Sequence, residues 1–245
     1  MGKIVVCGAG VIGLSVAIML AQDGHEVTVL EADPDGAPAA PVEAWASWER
    51  NGVAQFHQPH NLFTRFRLIC DEEMPGLTER LLAAGCVWVN FLEPLPPSLS
   101  DQSWRPGDEQ FRFVTGRRPV IESVVAAAAE DQLGLSIRRG VRVTGLLAGR
   151  SAIPGTPHAA GVLTVAGERL HADLVIDAMG RRAPTADGSA TWARADLTSR
   201  PRIAASSTTH GTSPARPGRY DVAERCAPSG ASRCSPSTAT TARGR

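Results

Sequence analysis

Three glycines near the start of the chain have the spacing of a dinucleotide-binding turn. Gly8, Gly10 and Gly13 form the pattern G-x-G-x-x-G directly after the apolar run 4–7. In such a turn the first glycine permits a tight bend, the second lets the backbone approach a diphosphate, and the third lets a helix pack closely on its strand. The helix N-terminus then offsets the negative charge of the diphosphate. The spacing predicts that the chain binds a dinucleotide.

The residues after the glycines support this interpretation. Apolar residues continue at helical spacing to Gly24, which is a typical helix stop, and residues 27–30 have the pattern of a second strand. That strand ends at Glu31, about 20 residues beyond the glycines, where an acid that binds the ribose is expected. The alternative is a glycine turn that only packs helix on sheet and holds no ligand.

Composition favours a soluble cytoplasmic protein. The 245 residues carry 25 basic and 25 acidic side chains, and no apolar stretch approaches the roughly 20 residues of a membrane span. Five cysteines lack the spacing of a zinc site or a disulfide framework, so we expect free thiols, with Cys7 in the core. The sequence has no stripe in which basic and aromatic residues alternate, so we do not expect nucleic-acid binding. We therefore expect a small-molecule ligand, while the oligomeric state stays open.

The segment 188–245 differs from the rest of the chain. It holds 9 Arg against 3 acidic residues and 17 Ser or Thr, with Leu197, Ile203 and Val222 as its large aliphatic residues. So little apolar surface predicts disorder. Lys3 is the single lysine among the 25 basic residues, as in GC-rich genes. Reading each codon one base earlier turns residues 205–213 into a sequence such as RIVYYTRHF, so we predict a change of reading frame near codon 188. A natural disordered tail is the alternative.

Between the glycine turn and this tail the chain alternates helices and strands, as in an α/β protein. We predict helices within 63–84, broken near Pro75, an exposed excursion at 94–106 and a helix at 118–132. Strands are predicted at 87–89, 135–138 and 141–147, a hairpin at 161–165 and 168–170, and a buried strand at 174–176.

Three motifs in this order resemble a known family. The glycine turn, residues 115–122 (TGRRPVIE) and residues 172–182 (ADLVIDAMGRR) are similar to those of FAD-dependent oxidoreductases of the para-hydroxybenzoate hydroxylase type. The resemblance covers 1–187. It implies a Rossmann-like FAD-binding domain with three layers (ββα), part of a β-rich substrate domain at about 85–115, and a substrate domain that is incomplete.

The resemblance also implies which residues hold FAD: Gly8, Gly10, Val11, Ile12, Gly13, Glu31, Ala32, Arg118, Val143, Asp177 and Gly180. Glu31 would bind the adenosine ribose, and Arg118 would contact the flavin nucleotide. The alternatives are a solvated arginine for Arg118, a core strand residue for Val143 and a simple turn for 177–180. Residue 183 is Ala where many relatives have Ser, which weakens the comparison at that turn.

The reaction that the resemblance implies is a flavin monooxygenase cycle. NAD(P)H would reduce FAD, and one atom of O₂ would pass to a small organic substrate. We expect this copy to be truncated and inactive. The alternatives are an FAD-dependent reductase or dehydrogenase of the same fold, and a non-catalytic, frameshifted fragment. Residues 50–60 resemble the loop near the flavin ring, but neither His57 nor His60 has the partners of a metal site, so no metal is expected and no catalytic residue is assigned.

Overall fold

The computed structural model describes residues 1–53, 55–151, 153–154, 158–180 and 183. These residues belong to one compact unit, Met1–Pro201. The predicted disordered segment 188–245 and the arginines 181–182 lie outside the described residues.

Ten strands and five α-helices follow one another through this part of the chain. The strands are β1 (Lys3–Cys7), β2 (Glu26–Leu30), β3 (Pro59–Leu62), β4 (Val87–Asn90), β5 (Arg112–Arg117), β6 (Leu135–Arg138), β7 (Val143–Ala148), β8 (Ala159–Thr164), β9 (Arg169–His171) and β10 (Leu174–Asp177). The helices are α1 (Val11–Gln22), α2 (Pro41–Ser47), α3 (Thr64–Glu73), α4 (Leu77–Ala83) and α5 (Arg118–Glu130). A 3₁₀ turn, Asp108–Phe111, precedes β5.

A parallel sheet in the order β10-β1-β2-β6 forms the centre of the unit. Side chains of β1 alternate between its two faces, as a strand covered on both sides requires. Ile4 and Val6 pack against the core formed by α1 and α5, whereas Val5 and Cys7 pack against Val143 and other residues of the antiparallel sheet β7-β8-β9. Helices, parallel sheet and antiparallel sheet are the three layers of the predicted ββα arrangement, which is confirmed.

A second antiparallel sheet, β3-β5-β4, leads into α5. Its central strand β5 ends at Arg117, and α5 begins at the next residue with Pro119 in its first turn, a position that does not require a backbone N–H. Its strands β4 and β5 lie at the two ends of the segment of about 85–115 that was predicted to be part of a substrate domain. That assignment stays a prediction.

The sequence missed two short elements and misjudged one strand. Both α2 and β3 are too short for a periodic pattern. Helix α2 packs on α5, and its buried Ala44 forms a cluster with Trp48 and Phe56. The strand β10 was predicted to be buried, but Leu174 is 46% exposed. The reason is that β10 pairs on one side with β1 and is an edge strand among the described strands. Within the described residues no helix has the length and apolar character needed to cross a membrane.

Candidate dinucleotide site

The predicted glycine turn lies at the carboxyl ends of β1, β2 and β10, where parallel sheets bind ligands. The backbone N–H of Gly8 donates to the carbonyl of Leu30 at 2.7 Å, and that of Ala178 donates to the carbonyl of Cys7 at 2.8 Å. Gly8 has φ of +103°, and a Cβ there would lie 2.8 Å from the carbonyl oxygen of Ala178. A side chain at this position would therefore be strained and would collide with backbone.

The other two glycines have different surroundings. A Cβ on Gly13 would overlap the carbonyl oxygen of Gly8, so this glycine lets α1 approach the end of β1. Gly10, the N-cap of α1, has no atom within 4 Å of the position of a Cβ. The first turn of α1 contains no acidic residue. An open backbone at an uncompensated helix N-terminus suits an anion.

Glu31 lies beside this turn and is 6% exposed. Its Oε2 accepts a hydrogen bond from the Ala9 N–H at 2.8 Å and its Oε1 accepts one from the Asp33 N–H at 3.0 Å. A guanidinium nitrogen of Arg50 donates to Oε2 as well. A carboxylate offers about four acceptor positions, so three are used and about one is left for a ligand hydroxyl. The acid is anchored to the turn rather than extended into solvent.

Arg50 is the centre of a buried charge network that sequence reasoning missed. Its Nη1 donates to Glu122 Oε2 at 2.5 Å and to the carbonyl oxygen of Ala9 at 3.2 Å, while Nε donates to Asp33 Oδ2 at 3.3 Å. The same guanidinium contacts Glu31 through Nη2. Burial acts to lower the pKa of Arg50, but the charges of Glu122 and Glu31 outweigh it and the pKa is raised, so the guanidinium stays charged.

One signal in the sequence pointed to this network. Glu122 is an acidic residue within the apolar run 119–129, and a charged side chain on the core-facing side of a helix requires a partner. In the structure it is 2% exposed and bridges two arginines. Oε2 accepts from Arg50, and Oε1 accepts from Arg118 Nε at 2.7 Å.

Arg118 occupies the first position of α5, as predicted. Its side chain is 22% exposed, and its backbone N–H donates to the carbonyl of Gln58 at 3.2 Å. Burial, and then the charge of Arg118, lower the pKa of His60, while Glu122 opposes them. His60 is therefore neutral near pH 7. The structure links Arg118 to Glu31 indirectly, through Glu122 and Arg50.

The remaining predicted contact residues divide by exposure. Ile12 is 60% exposed and Ala32 is exposed beside the turn, whereas Val11 is buried. The backbone N–H of Met179 donates to Asp177 Oδ1 at 2.9 Å, and Gly180 has φ of +81°, which fits a tight turn after β10. Val143 is buried in the core between the sheets. Its predicted contact with the adenine stays a prediction.

The segment 50–60, predicted as a loop near the flavin ring, packs as an aromatic cluster before it enters β3. The rings of Trp48 and Phe56 meet edge to face at 5.1 Å, as do those of Trp45 and His57 at 5.4 Å. His57 Nε2 lies 3.0 Å from Glu49 Oε1. In the described ranges no group of three or more His, Cys, Asp or Glu side chains could hold a metal ion.

A cleft of about 530 Å³ opens beside this cluster. Its walls are mainly apolar and come from α2, β3, β5, the first turn of α5 and the α4–β4 connection. The guanidinium of Arg117 lies over the ring of Trp45 at 4.6 Å, a cation–π contact at the wall of the cleft.

Comparisons with known proteins found one matching family model and several solved structures of similar fold. Residues 3–88 match the family model DAO, described as FAD dependent oxidoreductase. No curated protein matches the chain. Solved structures are similar in fold. A mutant of 2-methyl-3-hydroxypyridine-5-carboxylic acid oxygenase has 19% identity and a TM-score of 0.51, over 76% of this chain and 42% of that one.

Two further solved structures are more distant. PqsL of Pseudomonas aeruginosa, a probable FAD-dependent monooxygenase, has 14% identity and a TM-score of 0.48, over 71% of this chain and 41% of that one. THI4 of Thermovibrio ammonificans has 18% identity and a TM-score of 0.47, over 76% and 60%. The chain spans less than half the length of the oxygenase and of PqsL. Residues 3–88, which carry the glycine turn and Glu31, are similar to the FAD-dependent oxidoreductases, a family of enzymes.

Proposed function

We propose that the site holds FAD and that the chain carries the FAD-binding part of a flavin monooxygenase of the para-hydroxybenzoate hydroxylase type. One observation carries the proposal: the unobstructed Gly10 at the N-terminus of α1 directly follows Ala9, whose N–H donates to the Glu31 carboxylate and fixes it to the turn. An open helix N-terminus suits a diphosphate, and an acid at the end of β2 suits ribose hydroxyls.

The residues fit the parts of the cofactor as follows. The backbone of the turn from Gly8 to Gly13 would hold the diphosphate, and the acceptor position left on Glu31 would take a ribose hydroxyl. Arg118 at the start of α5 would meet the flavin nucleotide with its partly exposed guanidinium. Val11, Ile12, Ala32, Val143, Asp177 and Gly180 are proposed as further contacts.

Bound FAD supplies the redox chemistry, with NAD(P)H as the proposed reductant and O₂ as the proposed oxygen donor. The chain's own residues bind and orient: the turn neutralises the diphosphate, and Glu31 fixes the adenosine end. The proposed substrate is a small organic molecule, and the apolar cleft walled by Trp45 and Arg117 is large enough for one. The chain spans less than half the length of the oxygenase, so we propose the complete reaction for the whole flavoprotein of which this chain resembles a part.

The first experiment is a calorimetric titration of the purified full chain with FAD and with ADP. Glu31→Gln is expected to lower the affinity for both ligands by about tenfold, since it removes one charged hydrogen bond. Glu26→Gln, at the exposed opposite end of the same strand, is the control and leaves binding unchanged. A folded chain that binds neither FAD nor ADP would refute the proposal.

A second measurement addresses the reaction. NADH or NADPH oxidation and O₂ uptake are followed with the loaded chain. Rapid flavin reoxidation coupled to a hydroxylated product supports a monooxygenase, whereas slow reoxidation with a reduced product supports a reductase. The resemblance implies an incomplete substrate domain, so for this chain we expect weak FAD binding and no turnover; stoichiometric FAD with NAD(P)H oxidation would contradict that expectation.

A further inference from the structure

We propose that Arg50 is a positioning residue of the cofactor site: one buried guanidinium holds Glu31 and, through Glu122, Arg118 in the orientations in which they meet the nucleotide. The inference rests on the proposed function and deepens it. Nothing in the glycine motif assigns a role to Arg50, which lies in a turn 19 residues after Glu31 and 72 residues before Glu122.

The contacts of Arg50 join four separate parts of the site. Nη1 reaches both the glycine turn, at the Ala9 carbonyl, and α5, at Glu122. Nη2 reaches the end of β2 at Glu31, and Nε reaches Asp33 in the loop that follows. A guanidinium has donors on all three nitrogens in a fixed plane, so it can hold several acceptors in one geometry.

Burial explains why the network depends on this one cation. Side chains of Arg50, Glu31 and Glu122 are 5%, 8% and 2% exposed, so water does not solvate their charges well. Without Arg50, the buried Glu31 carboxylate would lose its arginine beside the site for a diphosphate, and Glu122 would keep Arg118 alone. Removal of one partner of a buried ion pair leaves such charges uncompensated, and the groups move or take up a proton.

The geometry ties Arg50 to the ligand groups as well as to the fold. Glu31 Oε2 is shared by Arg50 and the Ala9 N–H, so Arg50 sets the direction of the carboxylate that would accept from the ribose. Glu122 divides its two oxygens between Arg50 and Arg118. If Arg50 is lost, Glu122 keeps its bond to Arg118 but loses the contact that fixes its other oxygen, so the orientation of Arg118 is less constrained.

The test is a double-mutant cycle on ligand affinity, measured by calorimetry on the full chain with ADP as the probe. Arg50→Met is expected to weaken ADP binding by about tenfold to a hundredfold, the effect of losing charged hydrogen bonds. In a Glu31→Gln background the same substitution is expected to weaken ADP binding by less than about threefold, because Arg50 then has no carboxylate to orient toward the ribose. Arg50→Lys, which keeps the charge but loses the fork, is expected to be intermediate.

A matched control separates this role from general stability. Arg67 on α3 is also an arginine with a poorly exposed side chain, paired with Asp71 at 2.6 Å and outside the proposed site. Arg67→Met is expected to lower the free energy of unfolding without changing ADP affinity. Arg50→Lys replaces Arg50→Met if the latter does not fold.

A further comparison addresses Arg118. Glu122→Gln is expected to weaken FAD binding more than ADP binding, since Arg118, its partner, is proposed to contact the flavin nucleotide. Unchanged ADP affinity in Arg50→Met, or an equal loss of affinity with and without Glu31, would overturn the role of Arg50. The proposed function would still stand if the wild-type chain binds FAD and ADP, and a wild-type chain that binds neither ligand would refute both proposals.

Discussion

Alanine substitutions at Gly13 and Gly10 separate packing from ligand binding within a single turn. A Cβ on Gly13 would overlap the Gly8 carbonyl oxygen and would lie 3.2 Å from the Cβ of Ala178. The nearer obstacle is backbone, so α1 must shift away from β1. Overpacking of this kind costs up to about 3 kcal/mol, and the better helix propensity of alanine returns about 1 kcal/mol. We therefore expect Gly13→Ala to lower the free energy of unfolding by about 2 kcal/mol.

Gly10→Ala is the matched substitution without a clash. Gly10 has φ of −81°, which alanine adopts freely, and open space where the Cβ would lie. The loss of a favourable N-cap residue and the gain from a less flexible unfolded chain each amount to about 0.5–1 kcal/mol and nearly cancel. Stability should stay within about 0.5 kcal/mol of wild type, while the added methyl group lies where the diphosphate must approach and weakens ADP binding at least about tenfold.

Guanidinium denaturation followed by circular dichroism, without ligand, gives the two stabilities, and calorimetry with ADP gives the affinities. Wild-type stability in Gly13→Ala would show that α1 is not held close to β1 by this contact. Wild-type ADP affinity in Gly10→Ala would show that the diphosphate does not lie on this turn.

Three further predictions concern thiols, pH and the gene. Burial raises the thiol pKa of Cys7 and Cys70 to about 12 and that of Cys86 to about 11, and Asp177 adds to the effect on Cys7. Alkylation of the native chain at pH 8, followed by peptide mass spectrometry, should therefore leave these thiols unmodified until the chain is unfolded. Because burial and Arg118 lower the pKa of His60, the unfolded chain takes up the proton first as the pH falls through 6.5, so the free energy of unfolding should decrease there; an NMR titration giving His60 a pKa above 6.5 would contradict this. Sequencing the gene around codons 187 and 188 should show a base inserted or deleted, and an intact frame would end that hypothesis.

The sequence by itself determined the local elements of the nucleotide site. The glycine spacing, the apolar strand before it and the helix after it are properties of consecutive residues, and the structure has β1, the turn and α1 where the pattern placed them. The sequence also predicted the strand β7 and the hairpin of β8 and β9, whereas the pairing of β7 with β8 was not predicted. The helix α2 and the strand β3 were not predicted, because their seven and four residues are too few to show a periodic pattern.

Tertiary structure alone decided how the site is held together. Register between β1 and β10 joins residues about 170 positions apart, and Arg50 meets Glu122 across 72 positions. No local pattern encodes such meetings, because they depend on which helix face and which loop the packed core brings to the same point. The buried Glu122 on α5 indicates that a cation must lie nearby. That cation is Arg50, because the glycine turn, the end of β2 and α5 meet beside it at the carboxyl end of the sheet.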